Sequence, residues 1–200
     1  MSDNTQMPVM LYTEQTPNPE SIKYVLNRLL YKGTAEFKDA EAAKEWSPLA
    51  ALLFEFPYVK NVYISNNFVT ITKEFNYGWE EILLPVKEAI KKAVQDGLMP
   101  VNEGFEASKA TQSLGGVPIE GDNPEIATRI KELIDTYVKP AVEGDGGNIE
   151  FRSFNNGVVS VLMQGSCSGC PSSTVTLKAG IEGMLKRMVP EVTEVVAEMG

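Results

Sequence analysis

Between Asp96 and Asn123 the chain runs through DGLMPVNEGFEASKATQSLGGVPIEGDN, a glycine-rich stretch with Pro100 and Pro118 and no sustained apolar period. A segment of this kind buries too little surface to order itself, so residues 97–121 are expected to be a flexible linker. The chain must then fold as two units, residues 1–96 and 122–200. With 200 residues and 43% hydrophobic content, each is long enough to enclose a core of its own.

In the first unit, Val9–Thr13 and Ser21–Leu26 read as extended segments around Thr16-Pro17-Asn18-Pro19, whose prolines hold the residue between them out of the helical region. This connector is either a stiff turn or a rigid partner-facing loop. Short helices are expected over Asp39–Trp46 and Pro48–Phe54, because Ser47 can cap and Pro48 suits a first helical position. Val59–Ile64 and Phe68–Lys73 are rich in β-branched and aromatic residues, with Asn66 and Asn67 tolerating a left-handed turn between them. A helix over Trp79–Gln95 follows from the spacing of Ile82, Val86, Ile90 and Val94; Pro85 should kink it or mark its true start.

In the second unit, Asn123 and Pro124 begin a helix whose apolar stripe is Ile126, Ile130, Leu133, Ile134, Tyr137 and Val138, ending before Pro140. Strands are expected over Ile149–Phe154 and Val158–Met163 around an Asn156-Gly157 hairpin turn. A helix over Pro171–Val189 and a last strand over Val192–Ala197 complete an α+β pattern: two small mixed domains joined by a linker. The Asp145-Gly146-Gly147 run reads first as the turn that ends a helix, and otherwise as an anion-binding nest of backbone amides.

Chemistry is narrowed by what the chain lacks. Histidine is absent, which removes imidazole as a metal ligand, proton shuttle or partner base. The net charge is -9, and each half keeps an acidic excess, so nucleic acid is not an expected partner. No stretch approaches the roughly 20 apolar residues of a membrane span, and Met1–Met10 shows neither a basic start nor a signal core. A cytoplasmic location is the default expectation.

The two cysteines, Cys167 and Cys170, lie in Gly165-Ser166-Cys167-Ser168-Gly169-Cys170-Pro171, between an expected strand and an expected helix start. Unpaired amides and the helix dipole there should favour thiolate, and the nearby serines offer further donors. Tetrahedral zinc and both common iron–sulfur clusters take four ligands, whereas one chain offers two thiolates. One chain is half a site, most simply completed by a second copy across a symmetric interface. Dissociation of such a dimer removes half the ligands at once. A thioredoxin-like dithiol–disulfide exchanger and a zinc-bridged structural dimer remain open on the same residues.

Longer motifs carry a resemblance. Val138–Gly147 (VKPAVEGDGG) and Gly165–Leu185 (GSCSGCPSSTVTLKAGIEGML) resemble the carboxy-terminal domain of NifU-like iron–sulfur scaffold proteins. TPNPESIKY from Thr16, SPLAALLF from Ser47, FVTITKE from Phe68 and the Trp79 that opens the following helix are similar to the amino-terminal domain of Nfu-type carriers. The resemblance implies an accessory domain at 1–96 and a cluster-binding domain at 122–200. It implies a carrier, not an enzyme. Such a carrier receives an iron–sulfur cluster, usually [4Fe-4S], from an upstream assembly scaffold, holds it between two copies through Cys167 and Cys170, and passes it to apo-proteins. One departure is Asn148, where the family usually has aspartate after Asp145-Gly146-Gly147, which drops a charge but keeps an acceptor. Another is Phe56-Pro57-Tyr58, where a glycine often precedes the third strand.

Overall fold

The computed structural model describes residues 8–105, 123–168 and 171–199, and contains two small α+β domains. In the first, β1 (Leu11–Gln15), β2 (Ser21–Leu26), β3 (Tyr31–Phe37), β4 (Val59–Asn66) and β5 (Phe68–Lys73) form an antiparallel sheet in the order β1-β2-β5-β4-β3. Three helices, α1 (Ala40–Trp46), α2 (Pro48–Leu53) and α3 (Trp79–Gln95), complete the domain. Ser47 serves two of them: its N–H closes α1 on Ala43 O, and its Oγ accepts from Ala50 N at 2.9 Å to cap α2. Asn66 makes the β4–β5 turn at φ 47°.

Pro85 neither starts nor stops α3, which begins at Trp79. The helix holds because its buried stripe, Ile82, Val86 and Ile90, shares one core with Leu49 and Leu53 of α2 and with Val62, Ile64, Val69 and Ile71 of the sheet. Tertiary packing outweighs one lost amide.

Two differences from the sequence reading matter. The strand β3 had no sequence signal, because Lys32, Gly33 and Glu36 interrupt the β-branched pattern. It forms because Ala35 and Phe37 are buried in the first core and the strand pairs along β4. The expected linker also begins too early. Leu98, Val101 and Phe105 pack on the first core, with the Phe105 ring 5.4 Å from Phe37 and 5.9 Å from Trp46. These contacts are aperiodic, so no pattern along the chain announces them. The rest of the expected linker, residues 106–121, lies outside the described residues.

In the second domain α4 (Pro124–Leu133) is capped by Asn123 Oδ1, which accepts from Glu125 N at 3.1 Å. The helical path does not end before Pro140. It passes through a π-helical turn over Ile134–Val138, closed by Lys139 N–H on Ile134 O, into α5 (Lys139–Gly144). Widening the turn accommodates a proline that lacks an amide and would collide with the carbonyl four residues back. The wider turn also rotates the stripe. Ile130, Ile134, Val138 and Val142 face inward, while Tyr137, expected on the apolar face, is exposed.

Next come β6 (Gly147–Asn155), β7 (Val158–Gly165), α6 (Pro171–Met188) and β8 (Glu194–Met199), with sheet order β6-β7-β8. Asn156 and Gly157, at φ 50° and 80°, form the two-residue turn between β6 and β7. β8 runs parallel to β7, which requires the crossover that α6 supplies.

Candidate functional site

The cysteine loop leaves the end of β7 where two glycines meet. Gly165 pairs with Gly147 in register and turns at φ 68°. A side chain at Gly147 would sit 2.8 Å from Gln164 O and 2.9 Å from Cys167 Sγ, so only glycine lets β6 form the floor beneath the thiol. Ser166 Oγ donates to Asp145 O at 2.7 Å, and Thr174 Oγ1 ties the first turn of α6 to Cys167 O at 3.1 Å. The loop is thus pinned to the Asp145-Gly146-Gly147 turn on one side and to α6 on the other. That turn ends α5 as expected, with Gly146 at φ 82°.

Cys167 lies at the centre of this loop, 7% exposed and packed in the second core. Cys170, and the side chains of Ser172 and Ser173, lie outside the described residues. Burial pushes the Cys167 thiol up to about 11, helped by the nearby carboxylates of Asp145 and Glu36 and opposed by the Ser166 hydroxyl. This reverses the expectation of a favoured thiolate, because loss of water at the sulfur outweighs whatever the helix start contributes. Of the two expected serine donors whose side chains are described, Ser166 lies between Asp145 O and the sulfur and Ser168 is engaged elsewhere. Ser166 Oγ is 3.9 Å from the sulfur, and Ser168 Oγ lies 3.0 Å from Gly165 O and 3.2 Å from Glu36 Oε1.

Sequence reasoning missed the first domain's contribution to this site. Side chains alternate across a strand, so residues between the core positions of the five-stranded sheet point to its other face. There Glu36 Oε1 accepts from Gly165 N–H at 2.8 Å and from Asn61 Nδ2 at 2.7 Å. Thr70 Oγ1 donates to Gly146 O at 2.7 Å, and Lys23 Nζ donates to Gly144 O at 2.8 Å. Asn18, from the Thr16–Pro19 connector, donates through Nδ2 to Ser166 O at 3.1 Å. That connector faces the protein's own cysteine loop. Asn148 is fully buried and donates to Gln164 Oε1 and Glu150 Oε1, both at 3.1 Å. An amide can donate in this way and a carboxylate cannot.

Comparison with known proteins follows the same division. Residues 11–97 match the family described as scaffold protein Nfu/NifU N terminal, and residues 130–196 match the NifU-like domain. The chain is 40% identical over 188 residues to the NFU1 iron-sulfur cluster scaffold homolog, mitochondrial, of Drosophila willistoni, covering 94% of this chain and 63% of that protein. It is 42% identical over 187 residues to the protein of the same name from Drosophila grimshawi, covering 92% and 60% respectively. The chain therefore spans about three fifths of the length of these relatives. Their names place those proteins in the mitochondrion, unlike the cytoplasmic expectation for this chain. No helix among the described residues is long and apolar enough to cross a membrane. Among solved structures, a NifU-like protein from Saccharomyces cerevisiae aligns with a TM-score of 0.46 and 23% identity, over 52% of this chain and 92% of that one.

Proposed function

This chain belongs to the NifU-like scaffold family, and from that premise we propose that it carries an iron–sulfur cluster, [4Fe-4S], between two copies and passes it to apo-proteins. Cys167 and Cys170 of each copy are the ligands in this reading. The observation that carries it is the donor set: two cysteines three positions apart, no histidine anywhere, and a glycine-floored loop between β7 and α6. Thiolates suit the soft irons of a cluster, and two per chain make two chains the natural unit. Because each copy contributes half of the ligands, separating the copies releases the cargo to a recipient with cysteines of its own.

In this reading the second domain, residues 122–200, holds the cargo, and the first, residues 1–96 with the packed segment to Phe105, governs access to it. The protein catalyses no turnover of a small molecule. An upstream assembly scaffold supplies the cluster, and apo iron–sulfur proteins receive it.

A dithiol–disulfide exchanger needs an accessible sulfur of low pKa. A Cys167 that is 7% exposed and pushed upward does not supply one. The deciding experiment is anaerobic reconstitution with iron and sulfide, followed by iron, acid-labile sulfide and molar mass on one sample. About four irons per two chains in a brown dimer is expected for a [4Fe-4S] centre. A colourless monomer that reduces insulin disulfides would overturn the proposal.

A further inference from the structure

The outer face of the five-stranded sheet carries Lys23, Glu36, Asn61, Tyr63 and Thr70, and its central strands β2 and β5 are buried along their whole length. The helices cover one side only. On the other, the polar side chains of this face meet the backbone around the cysteine loop: Glu36 at Gly165, Thr70 at Gly146, Lys23 at Gly144, and Asn18 at Ser166 from the neighbouring connector. The approach is close. A side chain at Gly165 would stand 3.0 Å from the Tyr63 ring and 2.7 Å from Gly146 O.

We infer that this sheet face is a lid over the Cys167 loop, latched by Glu36, which must lift before a second copy of the chain can bring its cysteines to the same cluster. The inference rests on the proposed function for its purpose and on the contacts above for its existence. Residues on both sides of Cys167 are held by the first domain: Gly165 and Ser168 at Glu36, and Ser166 at Asn18. Cys167 is buried among second-core residues in this state, beneath loop backbone that the first domain holds, and a cluster shared by two chains needs the loop freed and each sulfur turned outward toward a common centre. Closed lid and bridged dimer therefore exclude each other, and each disfavours the other by the same factor.

The contact has the character of a latch. It consists mainly of hydrogen bonds from side chains to backbone, and the apolar side chains clustered on this sheet face are few: Val25, Tyr63 and Phe68, apart from the main core. Polar contacts of this sort between domains of one chain open readily. The latch is also incompletely satisfied. Glu36 Oε2 is buried with no hydrogen-bond partner among the described residues, a cost that only the closed state bears. Opening returns that oxygen to water.

The test uses the full chain with Cys170→Ser, so that Cys167 is the single thiol, and iodoacetamide as the probe of access. Rates are compared at equal thiolate fraction from each variant's own pH profile, because loss of the Glu36 charge also eases ionisation of Cys167. Glu36→Ala should then raise the alkylation rate of the folded apo protein roughly ten- to hundredfold, the shift expected when hydrogen bonds to a charged group are lost. Thr70→Ala should raise it several-fold. Rates within twofold of the parent in both variants, with unchanged circular dichroism, overturn the lid. The parent chain gives a second reading that needs no variant: the Gly165 amide, held by Glu36, should be protected from hydrogen exchange in the apo protein. Exchange at the rate of a free loop amide overturns the lid as well. Both measurements are made without iron. Reconstitution is carried out separately on chains that keep both cysteines: an exposed Cys167 in the Glu36→Ala, Cys170→Ser chain together with a failure of Glu36→Ala alone to form a bridged dimer sinks the cluster proposal and leaves the lid standing. A bridged dimer forming alongside unchanged thiol rates sinks only the lid.

Discussion

The two sheets of this protein bury themselves in different ways. The five-stranded sheet has helices on one face and the other domain's loop on the second, so β2 and β5 are buried end to end. The three-stranded sheet has a lighter covering: β6 carries half-buried and exposed positions at Glu150, Phe151, Arg152 and Ser153. Reactive side chains are distributed the opposite way. Both cysteines lie in the second domain and none in the first. Yet Glu36, Thr70 and Asn18 of the unreactive domain hold the loop that carries Cys167. Residue chemistry locates a site, while control over it can lie in a region with no reactive group at all.

That contrast can be broken most decisively at the cysteines. Cys167→Ser and Cys170→Ser are each expected to abolish iron retention after reconstitution, from about four irons per two chains to none. Cys167 is part of the second core, so its serine variant should fold at a cost of about 1–2 kcal/mol, read from urea unfolding. A serine variant that keeps its full iron content breaks the assignment of chemistry to this domain.

Ile71→Ala probes the other side of the contrast. Ile71 is fully buried in the first core, and the truncation should cost about 2–5 kcal/mol on urea unfolding. Iron per chain should be unchanged. A large fall in iron with the domain still folded would mean that the first domain contributes to the site directly.

The pH dependence of Cys167 sharpens the comparison, because burial first, and then the carboxylates of Asp145 in its own domain and Glu36 in the other, raise the thiol. Since the neutral thiol is favoured up to about 11, the thiolate fraction in the Cys170→Ser chain grows with every step toward that value. Its alkylation rate should climb about tenfold per pH unit between roughly pH 8 and pH 10. A plateau below pH 9 would place the sulfur in water. The smallest effect is expected at Asn123→Ala, where losing the cap of α4 should cost about 1 kcal/mol and leave thiol reactivity unchanged.

Much of the architecture was legible because its signals are local. The Asn156-Gly157 turn, the Ser47 cap, the Asn123 cap and the strands at 21–26 and 68–73 each depend on a few adjacent residues. The errors fall where distant residues decide. β3 exists because β4 and the core receive it, and Phe105 is ordered by the rings of Tyr31, Phe37 and Trp46, 59 to 74 residues away. The π turn at Ile134–Val138 has a local cause in Pro140, but a periodic pattern registers proline as a stop and not as a change of pitch.

From the amino acids alone one could read that each chain brings two sulfurs three positions apart and no imidazole, since these are properties of composition and spacing. The same residues could not reveal that Cys167 is buried, that burial pushes its thiol up, or that Glu36 holds the loop around it. Burial and electrostatic environment depend on which groups approach through space, and the contact between Glu36 and Gly165 joins positions 129 residues apart. Only the tertiary structure brings a strand without a recognisable pattern over a loop with an unmistakable one.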